Sequence, residues 1–170
     1  SLLVISSTVG SGDISTKFTA SAVPIVNWET ALYDELGIEA NNVNGGTVAG
    51  QTDLEIINAA HPLAAGLTAG VKTILTVAGN LGSMTDIVPS AMIVATATDG
   101  TVRPVLFGIE KGAALNPARI ATAPARRVGI FLDNDLFVNL TADGLKLFDA
   151  AVKWAANITA PPVQPKFNAP

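Results

Sequence analysis

At 170 residues the chain fits one domain with a sizeable core, and its 49% hydrophobic residues accompany only 14% charged ones, against about 25% in an average globular protein. A net charge of −4 and a pI near 4.8 argue against nucleic acid as a partner, and the absence of cysteine excludes disulfides, thiolate nucleophiles and cysteine metal sites. No apolar run reaches the ~18 residues that a membrane span requires, despite a mean hydropathy of +0.43.

Leu2 to Ile5 is a short apolar run that reads as a strand buried on both faces. The chain begins at Ser1 rather than Met and enters this strand at once, which implies processing or truncation. Gly10, Ser11 and Gly12 read as a flexible loop, after which Asp13 or Ser15 is placed to cap a short helix through Ala20. Val23 to Trp28 forms a second strand with Pro24 at its start. Leu32 and Leu36, spaced i and i+4 before Gly37, predict a short helix from Glu29 with a glycine stop. Asn41 to Gly50 is rich in Asn and Gly and reads as a surface loop.

Further along, Leu54 to Ile57 is a strand or turn leading into His61-Pro62. Val71 to Ala78, Ala91 to Thr98 and Val102 to Ile109 are β-branched runs that predict three more strands, the last two joined by a hairpin at Asp99-Gly100. Arg127 to Leu132 is another buried strand, and Arg119, Arg126 and Arg127 read as solvated positions beside it. The strongest helix follows. Leu145, Phe148, Val152 and Ala155 make one stripe, widened by Leu147, Ala151 and Trp154, with Thr141 as N-cap and Asp143 in the first turn. After Asn157 the proline-rich stretch reads as an extended tail, giving a division into residues 1–157 and 158–170. Strands alternating with helices imply an α/β fold with a sheet made mixed by its hairpin.

Five segments in order carry a family resemblance: Leu2 to Thr8, Val23 to Gly37, His61 to Leu67, Ala125 to Phe137, and the closing helix from Leu140. Together they resemble the ThuA-like branch of the class I glutamine amidotransferase-like superfamily across roughly residues 2 to 157. The resemblance implies a flavodoxin-like three-layer sandwich, a mostly parallel sheet with helices on both faces. It also implies a strand–helix–strand unit before Leu2 that this sequence lacks, so the natural chain is expected to be longer or its edge covered by another polypeptide. In that superfamily a cysteine on a strand-to-helix elbow is activated by a His–Glu pair. Here the elbow position holds Asn27-Trp28-Glu29 and the pair is replaced by Asp133-Asn134-Asp135, so amidotransferase chemistry is excluded and no catalytic residue is assigned.

Among the remaining polar residues, Asp133, Asn134 and Asp135 follow a buried strand, where ligands favour the carboxyl ends of open α/β sheets, and Glu29 ends the second strand. Such carboxylates suit a hard cation or acid–base work on a sugar, though Asp and Asn also simply turn chains. His61, the sole histidine, cannot build a multi-histidine metal site and reads first as a turn residue whose ring bonds backbone. The ligand-binding set is therefore Glu29, His61, Asp133 and Asp135, with no metal or cofactor assigned. Trp28 and Tyr33 are aromatics that suit either a sugar platform or the core. Asn139-Leu140-Thr141 and Asn157-Ile158-Thr159 match the glycosylation acceptor pattern.

These readings predict a non-catalytic structural or interaction domain of a secreted or cell-surface protein. Its partners would be other chains or copies of itself, with glycan as a further candidate and without nucleic acid or a membrane span. The alternative is a carbohydrate-binding or carbohydrate-processing domain, since the ThuA-like branch is associated with sugar utilisation, and the alternative location is the cytoplasm. Assembly with a neighbour, the tail docking on the next copy, is the third reading.

Overall fold

The structure, a computed structural model, describes residues 1–41 and 45–158. The tail from Thr159 onward, and with it the threonine of the second glycosylation pattern, lies outside the described residues.

Among the described residues, nine strands and two α-helices follow one another: β1 (Leu3–Ile5), α1 (Ser11–Ile14), β2 (Ile25–Asn27), β3 (Gly46–Gln51), β4 (Asp53–Ile56), β5 (Gly70–Thr73), β6 (Gly79–Ser83), β7 (Met92–Ala97), β8 (Pro104–Ile109), β9 (Arg127–Ile130) and α2 (Ala142–Ala155). Seven strands form one sheet in the order β1-β2-β9-β8-β7-β4-β5, and β3 pairs with β6 as a separate antiparallel ribbon. β1, β2 and β9 run parallel, whereas the β9–β8, β8–β7, β7–β4 and β4–β5 pairs are antiparallel.

This overturns the flavodoxin-like three-layer sandwich. The sheet is mostly antiparallel, and the described residues hold one helix longer than a single turn. The expected helix from Glu29 shrinks to a 3₁₀ turn at Thr30–Leu32 before the chain bends at Gly37 (φ 69°), and the one before Ala20 to α1 followed by a 3₁₀ turn at Ser15–Phe18. Neither Asp13 nor Ser15 is the N-cap of α1, because Ser11 already lies inside the helical turn and the N-cap position falls on Gly10. These segments are too short to hold a helix without a long apolar face.

Alternating side chains divide the core between the two faces of the sheet. Val26, Leu106, Val128 and Ile130 meet Leu147, Ala151, Trp154 and Ala155 of α2. On the other face Ile5, Ile25, Phe107 and Ile109 are covered by Leu32, Tyr33, Leu36, Ile38 and Val88, from turns and loops instead of a helix layer. The helix buries the stripe of Leu147, Ala151 and Trp154, while Leu145, placed in the main stripe from spacing, is 46% exposed. Thr141 caps α2 as expected, accepting from the Gly144 N–H at 3.2 Å and donating to the Thr73 carbonyl at 2.8 Å.

β1 is a half-exposed edge strand, not one buried on both faces, because α2 reaches β2 and β9 but leaves Val4 44% exposed. The expected strand over residues 71–78 ends at Thr73, and the chain turns to form β6, which pairs with a segment read as loop. The Asp99-Gly100 hairpin forms, with Gly100 at φ 83° and Asp99 Oδ1 accepting the Thr101 N–H at 3.1 Å. No helix among the described residues is long and apolar enough to cross a membrane.

Candidate functional site

Because β1, β2 and β9 are parallel, their carboxyl ends open onto the same edge of the sheet, the place where open α/β sheets hold ligands. A cleft of about 400 Å³ lies there. Ser6 and Thr8 enter it from the end of β1, Trp28 from β2, Leu132 to Asp135 from β9, Phe137 and Val138 from the following 3₁₀ turn, and Phe148 from α2.

Each wall has a local cause. Asn27 is fully buried at the end of β2 and folds the chain into a side-chain turn, its Nδ2 donating to the Glu29 carbonyl at 2.9 Å and its Oδ1 accepting the Glu29 N–H at 3.2 Å. That turn, anchored by the Trp28 N–H on the Ile5 carbonyl at 3.1 Å, sets the indole at the cleft. Beyond β9, Asp135 takes a left-handed conformation (φ 59°), which Asp tolerates, and the Leu136 N–H returns to the Asp133 carbonyl at 3.3 Å. Ser7 Oγ donates to Asn134 Oδ1 at 3.0 Å and ties the β1 and β9 loops together.

The aromatic wall is continuous. Phe137 packs edge-on against Phe148 with centroids 5.0 Å apart, and Phe148 meets Trp28 at 6.2 Å, both at steep angles. Phe137 remains 48% exposed and Val138 84%. Asp133, Asn134 and Asp135 line the same cleft. Glu29 lies close enough for the Asp133 charge to be felt. Its carboxyl pKa is raised, chiefly by burial, with Asp133 adding to the rise and the Ala31 N–H, which Glu29 caps at 3.0 Å, opposing it.

No family model and no curated protein matches the chain.

Of the four predicted ligand residues, Asp133 and Asp135 line this cleft, Glu29 is outside its lining but within reach of the Asp133 charge, and His61 lies elsewhere. β4 runs antiparallel to β7, β7 to β8 and β8 to β9, so the loop after β4 emerges at the opposite end of the sheet. There His61 lines a second, wider cleft with Glu110, Arg126 and Trp154. Its Nδ1 accepts the Leu63 N–H at 3.2 Å and caps the 3₁₀ turn Pro62–Ala64, which is the turn role read from the sequence. Burial lowers its pKa, the Arg126 charge adds to the lowering, and Glu110 opposes it.

Of the three arginines read as solvated, Arg119 is exposed, Arg126 half-buried and Arg127 buried. Arg126 Nε and Nη2 form a two-pronged pair with Glu110 at 2.7 and 3.0 Å, while Nη1 donates to the Trp154 carbonyl at 2.8 Å and to Asn157 Oδ1 at 3.1 Å. The guanidinium also lies 4.6 Å from the Trp154 ring centroid. Arg119 pairs with Asp34 at 2.7 Å. Arg127 is 1% exposed and donates to the Thr19 carbonyl, and burial brings its pKa down to about 10. Arg127 faces inward because it begins β9, which lies within the sheet between β2 and β8.

Sequence reasoning did not single out Phe137 or Phe148 as ligand-facing. The available signal was the apolar pair Phe137-Val138 directly after an acidic turn, a place where exposed rings have no core to fill. Tyr33, weighed with Trp28 as a platform, is buried against Phe107 at 5.5 Å.

Proposed function

We propose that this domain is a non-catalytic interaction module of a secreted or cell-surface protein, and that it binds carbohydrate in the cleft at the carboxyl ends of β1, β2 and β9. The observation that carries the reading is the pairing, in one concavity, of an aromatic wall with a rim of carboxylate, amide and hydroxyl groups. A sugar ring has an apolar face of C–H groups that stacks on aromatics and an equatorial belt of hydroxyls that needs donors and acceptors. The cleft offers both within about 400 Å³, at the small end of the range for ligand pockets.

Catalysis finds little support. The sequence has no cysteine, and its one histidine sits at the other end of the sheet from Asp133. Glu29 is occupied as a cap. A chain with only 14% charged residues also suits a setting crowded with neighbouring chains.

Titration of the protein with neutral oligosaccharides, followed by calorimetry, tests the proposal. Binding is expected, and Phe137→Ala is expected to weaken it by at least about fivefold, the equivalent of losing one aromatic contact of ~1 kcal/mol. Phe137 is half-exposed, so the variant should fold normally. An affinity unchanged in Phe137→Ala would refute the site, and turnover of any oligosaccharide would refute the non-catalytic assignment.

A further inference from the structure

We infer that the second cleft, between the His61-Pro62 turn and α2, is the docking site of a proline-rich segment of this same chain, Pro161 to Pro165, which returns onto Trp154. The inference concerns the opposite end of the sheet from the proposed carbohydrate cleft and does not depend on that reading.

The cleft holds about 750 Å³, and its lining includes His61, Pro62, Met92, Trp154 and Ile158. The His61 and Trp154 rings meet at 57° with centroids 5.3 Å apart. Trp154 is 8% exposed, and its indole N–H donates to no group among the described residues, yet that nitrogen is not sealed from solvent. The six-membered ring points toward Gly108 of β8, which leaves the pyrrole edge with its donor for the cleft. A largely buried indole N–H ordinarily has an acceptor, so the cleft lacks one.

The chain supplies it from close by. Asn157 takes a left-handed conformation (φ 54°), its N–H donating to the Trp154 carbonyl at 3.1 Å, while the Ile158 N–H donates to the Lys153 carbonyl at 2.8 Å. This pair of bonds closes α2 and turns the chain off the helix, so that Ile158 is itself part of the cleft lining. Pro162-Val163-Gln164-Pro165 follows directly in the sequence. A Pro-x-x-Pro segment favours an extended form, has no internal hydrogen bonds on its carbonyls, and docks on aromatic-lined grooves at little cost in chain entropy. Three extended residues reach ~9 Å, which is the edge of a cube of the cleft's volume. The tether also gives the segment an effective concentration on the order of millimolar, against which a separate proline-rich chain must compete.

The test is NMR of the full chain in dilute solution, with isotope-labelled and unlabelled protein mixed to tell contacts within one molecule from contacts between two. Cross-relaxation is expected within one molecule, from the Trp154 indole N–H and the His61 ring protons to the side chains of Pro161 to Pro165. The Trp154 N–H is expected to exchange with water at least about tenfold more slowly than in a variant carrying Pro162→Gly and Pro165→Gly. Trp28, which lines the other cleft, is the internal reference, and its N–H should exchange at the same rate in both proteins. Contacts found only between molecules overturn the inference and assign the segment to a neighbouring copy. The absence of contacts, or a Trp154 exchange rate that the two substitutions leave unchanged, overturns it as well.

Discussion

Replacing Arg126 with alanine removes three things at once from the carboxyl end of α2. The first is the two-pronged pair with Glu110, whose side chains are 25% and 46% exposed, so screening limits its worth to about 0.5 kcal/mol. The second is the pair of hydrogen bonds to the Trp154 carbonyl, which also accepts the Asn157 N–H at 3.1 Å, and to Asn157 Oδ1, at about 1 kcal/mol each. The third is the contact with the Trp154 ring, about 0.5 kcal/mol at a partly exposed site. Together Arg126→Ala should cost about 2–3 kcal/mol, or roughly 5–10 °C in Tm for a chain of this size. Urea unfolding followed by far-UV circular dichroism measures the change. Arg126→Lys keeps the charge without the planar fork and should recover about half of the loss. Glu110→Gln should cost under about 1 kcal/mol, because the bonds to the helix end survive. An Arg126→Ala variant within ~0.5 kcal/mol of the parent would refute the clamp.

Gly144 lies in the first turn of α2, where an added Cβ would collide with the Ile74 carbonyl oxygen. Gly144→Ala should therefore lower the unfolding free energy by about 1–3 kcal/mol, although alanine is the better helix former by about 1 kcal/mol; a rise in Tm would show that the helix start is free to shift. His61, whose pKa is depressed in the folded state, should add stability that is complete above its unfolded pKa of about 6.5 and fades as the pH falls through the folded value. Proton NMR of this sole histidine should give a pKa below 6.5, and a value at or above it would contradict the burial-driven shift.

What the sequence displayed was local. The β-branched runs of β7 and β8, the Asp-Gly turn between them and the Thr141 cap all sit where their chemistry places them. β3 and β6 were illegible because they are glycine-rich. Gly79 and Gly82 are there for close approach to Leu136 and to the Leu132 carbonyl, not for strand propensity. Helices were over-read wherever two leucines stood four apart, since Leu32 and Leu36 are core residues of a turn as readily as of a helix. The acidic turn at Asp133 to Asp135 was legible as the end of a strand, and it lines the cleft there. The placement of His61 beside it failed because residue order does not reveal which way β4 points across the sheet.

β9 lies between β2 and β8 at the heart of the seven-stranded sheet, yet it comes last in chain order among the described strands. Until it arrives, β1 and β2 are severed from the meander of β4, β5, β7 and β8, and each fragment exposes an open edge and an apolar face. The pairing of β2 with β9 spans about a hundred residues of chain, a long loop to close, so the hairpin half should gather early and the parallel half late. A nascent chain would carry a gap at the centre of its sheet, and strand β9 is the wedge that closes it. Lesions in β9 should then appear as aggregation during synthesis at a stage when lesions in β5 are still harmless.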